Sequence, residues 1–227
     1  MSPEGIVKEA INKGLNLIAI CDHNSSENTG EVIKASEGKG VTVLPGIEVT
    51  SKEEVHICAL FGHIDDALKL QTLVYDNLEG ENDEGAFGMQ VVVNAKGEVL
   101  GFNKKLLIGA TSLSVENIVD AIHSFHGLAV AAHIDREGFG IIGQLGFIPP
   151  ELKLDALEIS PGMSFEEAQV KFSEYQNYPF LCSSDAHYLD DIGKGTTTFL
   201  LEAVSLEEIK MAFNGEEGRG FISTTHN

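Results

Sequence analysis

Apolar residues recur along the chain in two alternating rhythms. Short unbroken runs such as 17–21 (LIAIC) and 128–132 (LAVAA) suit buried strands, and between them apolar positions fall three and four apart, as on one side of a helix. From the N-terminus, the pattern predicts a helix over 3–13, opened by Ser2-Pro3 and stopped by Gly14. A strand over 17–21 follows, then a helix over 30–38, a strand over 41–44 and, after Pro45-Gly46, a short apolar run over 47–49. A strand is expected over 55–61 and a helix over 65–78. Residues 80–111 break the rhythm: an acidic, Gly-rich opening leads into VVVNAKGEVLGF, two β runs around Lys96-Gly97, read as a hairpin insertion within one domain. Helices over 114–126, 141–145, 165–175 and 205–213 then alternate with strands over 128–132, 156–160, 180–183 and 197–201, and a last strand is expected near Phe221. Repeated β-α alternation with short links predicts a parallel sheet with helices outside, either a barrel or a doubly wound sheet.

Composition narrows the partners. The 227 residues include 15 Lys+Arg against 35 Asp+Glu, a formal net charge of −20, with 43% hydrophobic residues. Such a chain buries a core, whereas a long nucleic acid or an anionic membrane meets like charge over most of it. A small anion held at one positive point, such as a metal ion, is not excluded. The apolar runs are far shorter than the roughly 20 residues of a membrane span, and MSPEGIVKEA has neither the basic start nor the apolar core of a signal peptide. Cys21, Cys58 and Cys182 are odd in number and lie in or beside strand-like runs, as expected of reduced thiols in a cytoplasmic protein.

Marking metal-capable side chains on this map changes the picture. His23, Glu48, His133 and the pair Asp185/His187 each follow a different predicted strand. In a β/α barrel those ends share one face, where active sites are built. His56 lies inside its strand and faces the interior if Val55 and Ile57 pack outward. Imidazole and carboxylate converging in one mouth suit zinc, manganese or iron, and such a centre lowers the pKa of a bound water and clamps a phosphoryl oxyanion.

Asp22-His23-Asn24, Gly46-Ile47-Glu48, Glu54-Val55-His56, Ala132-His133 and Ser184-Asp185-Ala186-His187 resemble, in order, successive motifs of the PHP (polymerase and histidinol phosphatase) family. The resemblance implies a distorted (β/α)7 TIM-like barrel that holds up to three divalent metals and hydrolyses phosphoesters by a metal-activated water. It also implies that a first strand bearing His-x-His precedes the helix with which this sequence opens, so the barrel is expected to be one strand short. By the same resemblance, one ion is held by Glu48, His56 and His133. A second is shared between the lost pair, Glu48 and Asp185, and a third uses His23 and His187, so one to two ions are expected here. The unpaired edges would favour self-association.

Other residues complete the expectation. Asp22 is read as orienting His23, and Arg136 and Lys194 as candidates to hold the substrate phosphate. Asp185 and His187, at the rim, are the candidates for catalysis. His123 and His126 are assigned to helix packing, His63 to a turn and His226 to a frayed terminus. The function expected is hydrolysis of a small phosphate ester. The alternatives are a metal-binding or regulatory module without turnover and an amidohydrolase-type metal barrel.

Overall fold

The computed structural model describes residues 1–225, and His226 lies outside the described residues. The chain runs α1 (Pro3–Asn12), β1 (Leu17–Ile20), α2 (Thr29–Ser36), β2 (Thr42–Thr50), β3 (His56–Leu60), α3 (Ile64–Asp76), α4 (Glu84–Phe87), β4 (Val91–Val93) and β5 (Val99–Phe102). It continues through α5 (Val115–Ser124), β6 (Leu128–Ala131), α6 (Ile141–Leu145), β7 (Ala156–Ile159), α7 (Phe165–Lys171), β8 (Phe180–Cys182), β9 (Gly195–Leu200), α8 (Leu206–Asn214) and β10 (Gly220–Thr225). Six strands form one curled sheet in the order β1-β2-β3-β6-β7-β8; β4-β5 and β9-β10 are separate antiparallel pairs. Among the described residues, no helix is long and apolar enough to cross a membrane.

Strand alternation sorts side chains onto the two faces of the sheet. On one face Ile47, Val49, Ile57, Ala59, Ala129, Ala131, Leu157 and Ile159 pack against α3, α5 and α7 in the largest buried cluster. The opposite face carries Leu44, Leu128, Val130, Ala156 and Leu181, and the β9-β10 pair and α8 cover it with Phe199, Phe221, Ile209 and Phe213. The sheet's inner face is therefore filled by an antiparallel ribbon and a helix, and β1 and β8 stand as its two edges.

Two expectations are corrected. The sheet is mixed: β1-β2, β6-β7 and β7-β8 pair in parallel, but β3 is antiparallel to both β2 and β6. Only residues 51–55 join β2 to β3, and a parallel crossover needs a dozen or more residues. Pro45-Gly46 also does not interrupt β2. Its first half pairs with β1 and its second half with β3, so the missing proline N–H falls where the strand changes partners. Gly46 is required by space. A Cβ there would lie 2.6 Å from Cys21 Sγ and 2.9 Å from the carbonyl oxygens of both Ile20 and Ala59. Gly46→Ala is therefore expected to destabilise the metal-free chain by about 1–3 kcal/mol in urea denaturation. An unchanged midpoint would mean that β1 and β3 can part without cost.

Candidate metal centre

Glu48 lies on the inner face of β2, opposite Cys58 of β3, and is only 5% exposed. The segment after β1 fixes its backbone: the Glu48 amide donates to the Asp22 carbonyl (3.1 Å), and its carbonyl accepts from the Asn24 amide (2.8 Å). Asn24 is fully buried and locks that segment. Its side-chain amide donates to the carbonyls of Leu107 and Gly109 (2.9 and 2.8 Å), and its Oδ1 accepts from the Thr50 amide (3.0 Å).

Three imidazoles meet the Glu48 carboxylate. His23 Nδ1 is 3.0 Å from Oε2, while His56 Nδ1 and His133 Nε2 are 3.1 and 3.5 Å from Oε1. His56 Nδ1 and His133 Nε2 lie 3.3 Å apart. Ligand atoms about 2.0–2.1 Å from one tetrahedral zinc stand about 3.3 Å from each other, so this donor set has the spacing of a divalent cation's ligand shell. The donor atoms of His23, Glu48 and His56 all fall within 4.8 Å of one another. His133 Nδ1 is buried without a hydrogen-bond partner. Burial opposes a charge on Glu48, yet the three imidazoles hold its carboxyl well below the usual range. The bond to Glu48 in turn raises the pKa of His23, with the charges of Glu48, Asp185 and Asp22 adding to the rise.

The topology explains the convergence. His23 and His133 follow the C-terminal ends of β1, which runs parallel to β2, and β6, which runs parallel to β7. His56 opens β3, and because β3 is antiparallel its start lies at that same end of the sheet. Val55 and Ile57 are fully buried on the helix side, so His56 turns to the inner face. Asn24, His133 and Asp185 take positive φ values of 51°, 31° and 43°. Asn, Asp and His are the residues besides glycine that adopt this conformation most readily.

A second group of side chains adjoins the first. Arg136 Nη1 donates to Asp185 Oδ2 (2.6 Å) and its Nε to Ser160 Oγ (3.0 Å), while Asp135 accepts from the Ser160 amide and hydroxyl. His187 Nδ1 meets the Asp185 carbonyl at 3.0 Å, and its ring centroid is 5.9 Å from that of His23. Lys194 pairs instead with Asp191 in its own turn (2.6 Å). The Asp22 side chain is exposed, and no hydrogen bond or ion pair joins it to the His23 ring; Glu48 orients that ring. His123 is bound by Asp155 (2.8 Å) beside a cavity of about 450 Å³ that none of these site residues lines.

Sequence reasoning missed Glu158 and Phe139. Glu158 lies on the inner face of β7, 8% exposed, and accepts from Ser183 Oγ (2.5 Å). Burial, reinforced by the charges of Glu48 and Asp185, pushes its carboxyl up to about 7 against the Ser183 hydrogen bond. Its signal was one acid inside the apolar run 156–159. Phe139 stacks on the His56 ring with centroids 4.5 Å apart and planes at 20°.

The PHP_C family, described as PHP-associated, matches residues 167–214, from α7 to the end of α8. Endonuclease Q of Pyrococcus furiosus, a lesion-specific endonuclease, superposes with a TM-score of 0.75 at 20% identity, over 100% of this chain and 55% of that one. Endonuclease Q bound to a 27-mer duplex with an abasic lesion at its active site gives 0.72 at 20% identity, over 97% of this chain and 53% of that one. A two-domain Bacteroides vulgatus protein containing a predicted PHP-like metal-dependent phosphoesterase gives 0.55 at 16% identity, covering 99% of this chain and 60% of that one. The uncharacterized protein YqxK of Bacillus subtilis (strain 168) is 27% identical over 112 residues, 47% of this chain and 29% of its own length. The chain thus spans about half the length of the endonuclease Q chains, and at these identities the structural likeness is one of fold.

Proposed function

We propose that this chain, a member of the PHP family, is a metal-dependent phosphoesterase that hydrolyses a small phosphate ester. The observation that carries the reading is one buried carboxylate, Glu48, facing imidazoles from three separate strand ends at 3.0–3.5 Å. Glu48, His56 and His133 would hold a divalent cation, with His23 on the other carboxylate oxygen and Asp185 on the side of a second ion. Zinc, manganese or iron bound there supplies Lewis acidity, which favours ionisation of water and offsets the charge of the phosphoryl group.

The chain's own residues do the rest. Arg136 uses one terminal nitrogen on Asp185 and Nε on Ser160, and the other terminal nitrogen has no partner among the described residues. That nitrogen is available to a phosphate oxygen in a planar, directed geometry. The His187 Nδ1–H is donated to the Asp185 carbonyl, which leaves the Nε2 lone pair outward on a ring whose side chain is 59% exposed. From there it can accept a proton and return it to the leaving oxygen.

The test is phosphate release from a monoester panel by the chain with manganese or zinc, against the chelated chain, with metal content measured on the same samples. Bound metal without release from any ester would leave the alternative, a metal-binding module without turnover. Arg136→Lys is expected to raise KM for a cleaved ester about tenfold with kcat within about threefold, since lysine offers a point charge in place of the guanidinium fork. A fall in kcat at constant KM would assign Arg136 to holding Asp185 instead.

The likeness to endonuclease Q favours a second reading, in which the scissile bond is a DNA phosphodiester. A net charge of −20 argues that this chain alone does not supply the phosphate-contacting surface that a duplex requires. Cleavage of an abasic duplex by this chain at 0.15 M salt would overturn that argument.

A further inference from the structure

Resting on the phosphoesterase reading, we propose that the loop between β6 and α6 recognises a nucleoside phosphate. In this reading Arg136 takes the phosphate, and the outer face of Phe139 stacks on the planar base. The Phe139 ring lies almost parallel to the His56 ring, yet the residue is 42% exposed, so the face on His56 is covered and the ring keeps exposed surface beside the metal centre. Its backbone is at φ 62°, which a residue bearing a Cβ rarely adopts, and both neighbours in sequence are glycines. Gly140 holds the loop closed: a Cβ there would lie 2.5 Å from the Arg136 carbonyl oxygen and 2.9 Å from that of His133. Arg136 and Phe139 are therefore presented together by one tight turn.

A phenyl ring is not needed to orient His56. Glu48 Oε1 and His133 Nε2 already fix that imidazole at 3.1 and 3.3 Å, and its amide donates to the Phe139 carbonyl (2.9 Å), which any residue could provide. What the side chain adds is exposed aromatic surface on a ring stacked against His56, which in turn neighbours the His23 ring. Aromatic faces of this kind stack on bases with little dependence on which base is offered. Arg136 in the same turn supplies the directed contact that a phosphate prefers.

Thymidine 5′-monophosphate and 2-deoxyribose 5-phosphate share sugar and phosphate and differ in the base. Their binding to the full chain, with manganese and with chelator, is measured by calorimetry, and phosphate release is measured separately. Phe139→Leu is expected to weaken thymidine monophosphate binding about tenfold and leave deoxyribose phosphate within about twofold, and Phe139→Trp is expected to keep wild-type discrimination. The tryptophan variant keeps a ring at this position and shows that the fold tolerates substitution. Equal weakening for both ligands, no weakening for either, or no measurable binding of either to the wild type would overturn the inference. Phe139-dependent binding without phosphate release under any metal would support the recognition loop while removing the phosphoesterase reading. Efficient release unaffected by Phe139→Leu would do the reverse.

Discussion

The Glu48→Gln variant is expected to lose its high-affinity metal and, with it, phosphoester hydrolysis, while keeping its fold. Glutamine preserves volume and one acceptor oxygen, so β2 and its backbone bonds to Asp22 and Asn24 have no reason to move. What disappears is the negative charge on which His23, His56 and His133 converge at 3.0–3.5 Å. Even changes behind a ligand cost about 10–100-fold in metal affinity, and Glu48 is proposed as a ligand itself, so the loss should exceed about 100-fold. Turnover, if it depends on that ion, should fall by at least about 10³-fold, or about 4 kcal/mol in barrier. Metal content after dialysis against a fixed free manganese concentration, with far-UV circular dichroism as the fold control, decides the matter. Wild-type stoichiometry in the variant would remove Glu48 from the ligand set.

The position of that carboxylate was legible for a simple reason. His23, His133, Asp185 and His187 follow strands in the sequence, and strand ends are easy to locate from where apolar runs stop. Glu48 was expected after a strand and is instead inside one, because Pro45-Gly46 reads as punctuation although β2 passes straight through it. The error did no harm to the site, since an extended chain still delivers residue 48 to the inner face. The direction of β3 was also recoverable, as a five-residue link cannot make a parallel crossover. Phe139 was not recoverable, because its stacking depends on a positive-φ turn that no apolar rhythm marks. The Asp22 and Lys194 assignments depended on where side chains point beyond strand ends, which periodicity does not determine; Lys194 turns to Asp191 three residues away.

Glu158 leads to a prediction that needs no substrate. In the unfolded chain its carboxyl ionises near about 4.3, whereas in the fold burial pushes it up to about 7. Between those values folding takes up a proton, so this residue's contribution to stability falls as pH rises through that window and levels off above it. The full shift corresponds to at most about 4 kcal/mol. In Glu158→Gln the acceptor for Ser183 Oγ is kept and the ionisation is gone. With chelator present, the margin of the variant over the wild type in urea denaturation should grow by about 2–3 kcal/mol between pH 5 and pH 8. Taking the difference between the two proteins at each pH cancels the other titrating groups, His23 among them. A difference that stays constant from pH 5 to 8 would mean that folded Glu158 is ionised throughout. Because the charges of Glu48 and Asp185 contribute to the rise, a cation held between those carboxylates should oppose it. Added manganese is therefore expected to shrink the pH dependence of the difference between wild type and Glu158→Gln, in which the pH dependence of metal binding common to both proteins cancels. This links metal occupancy of the centre to a proton on a strand that contributes no expected ligand.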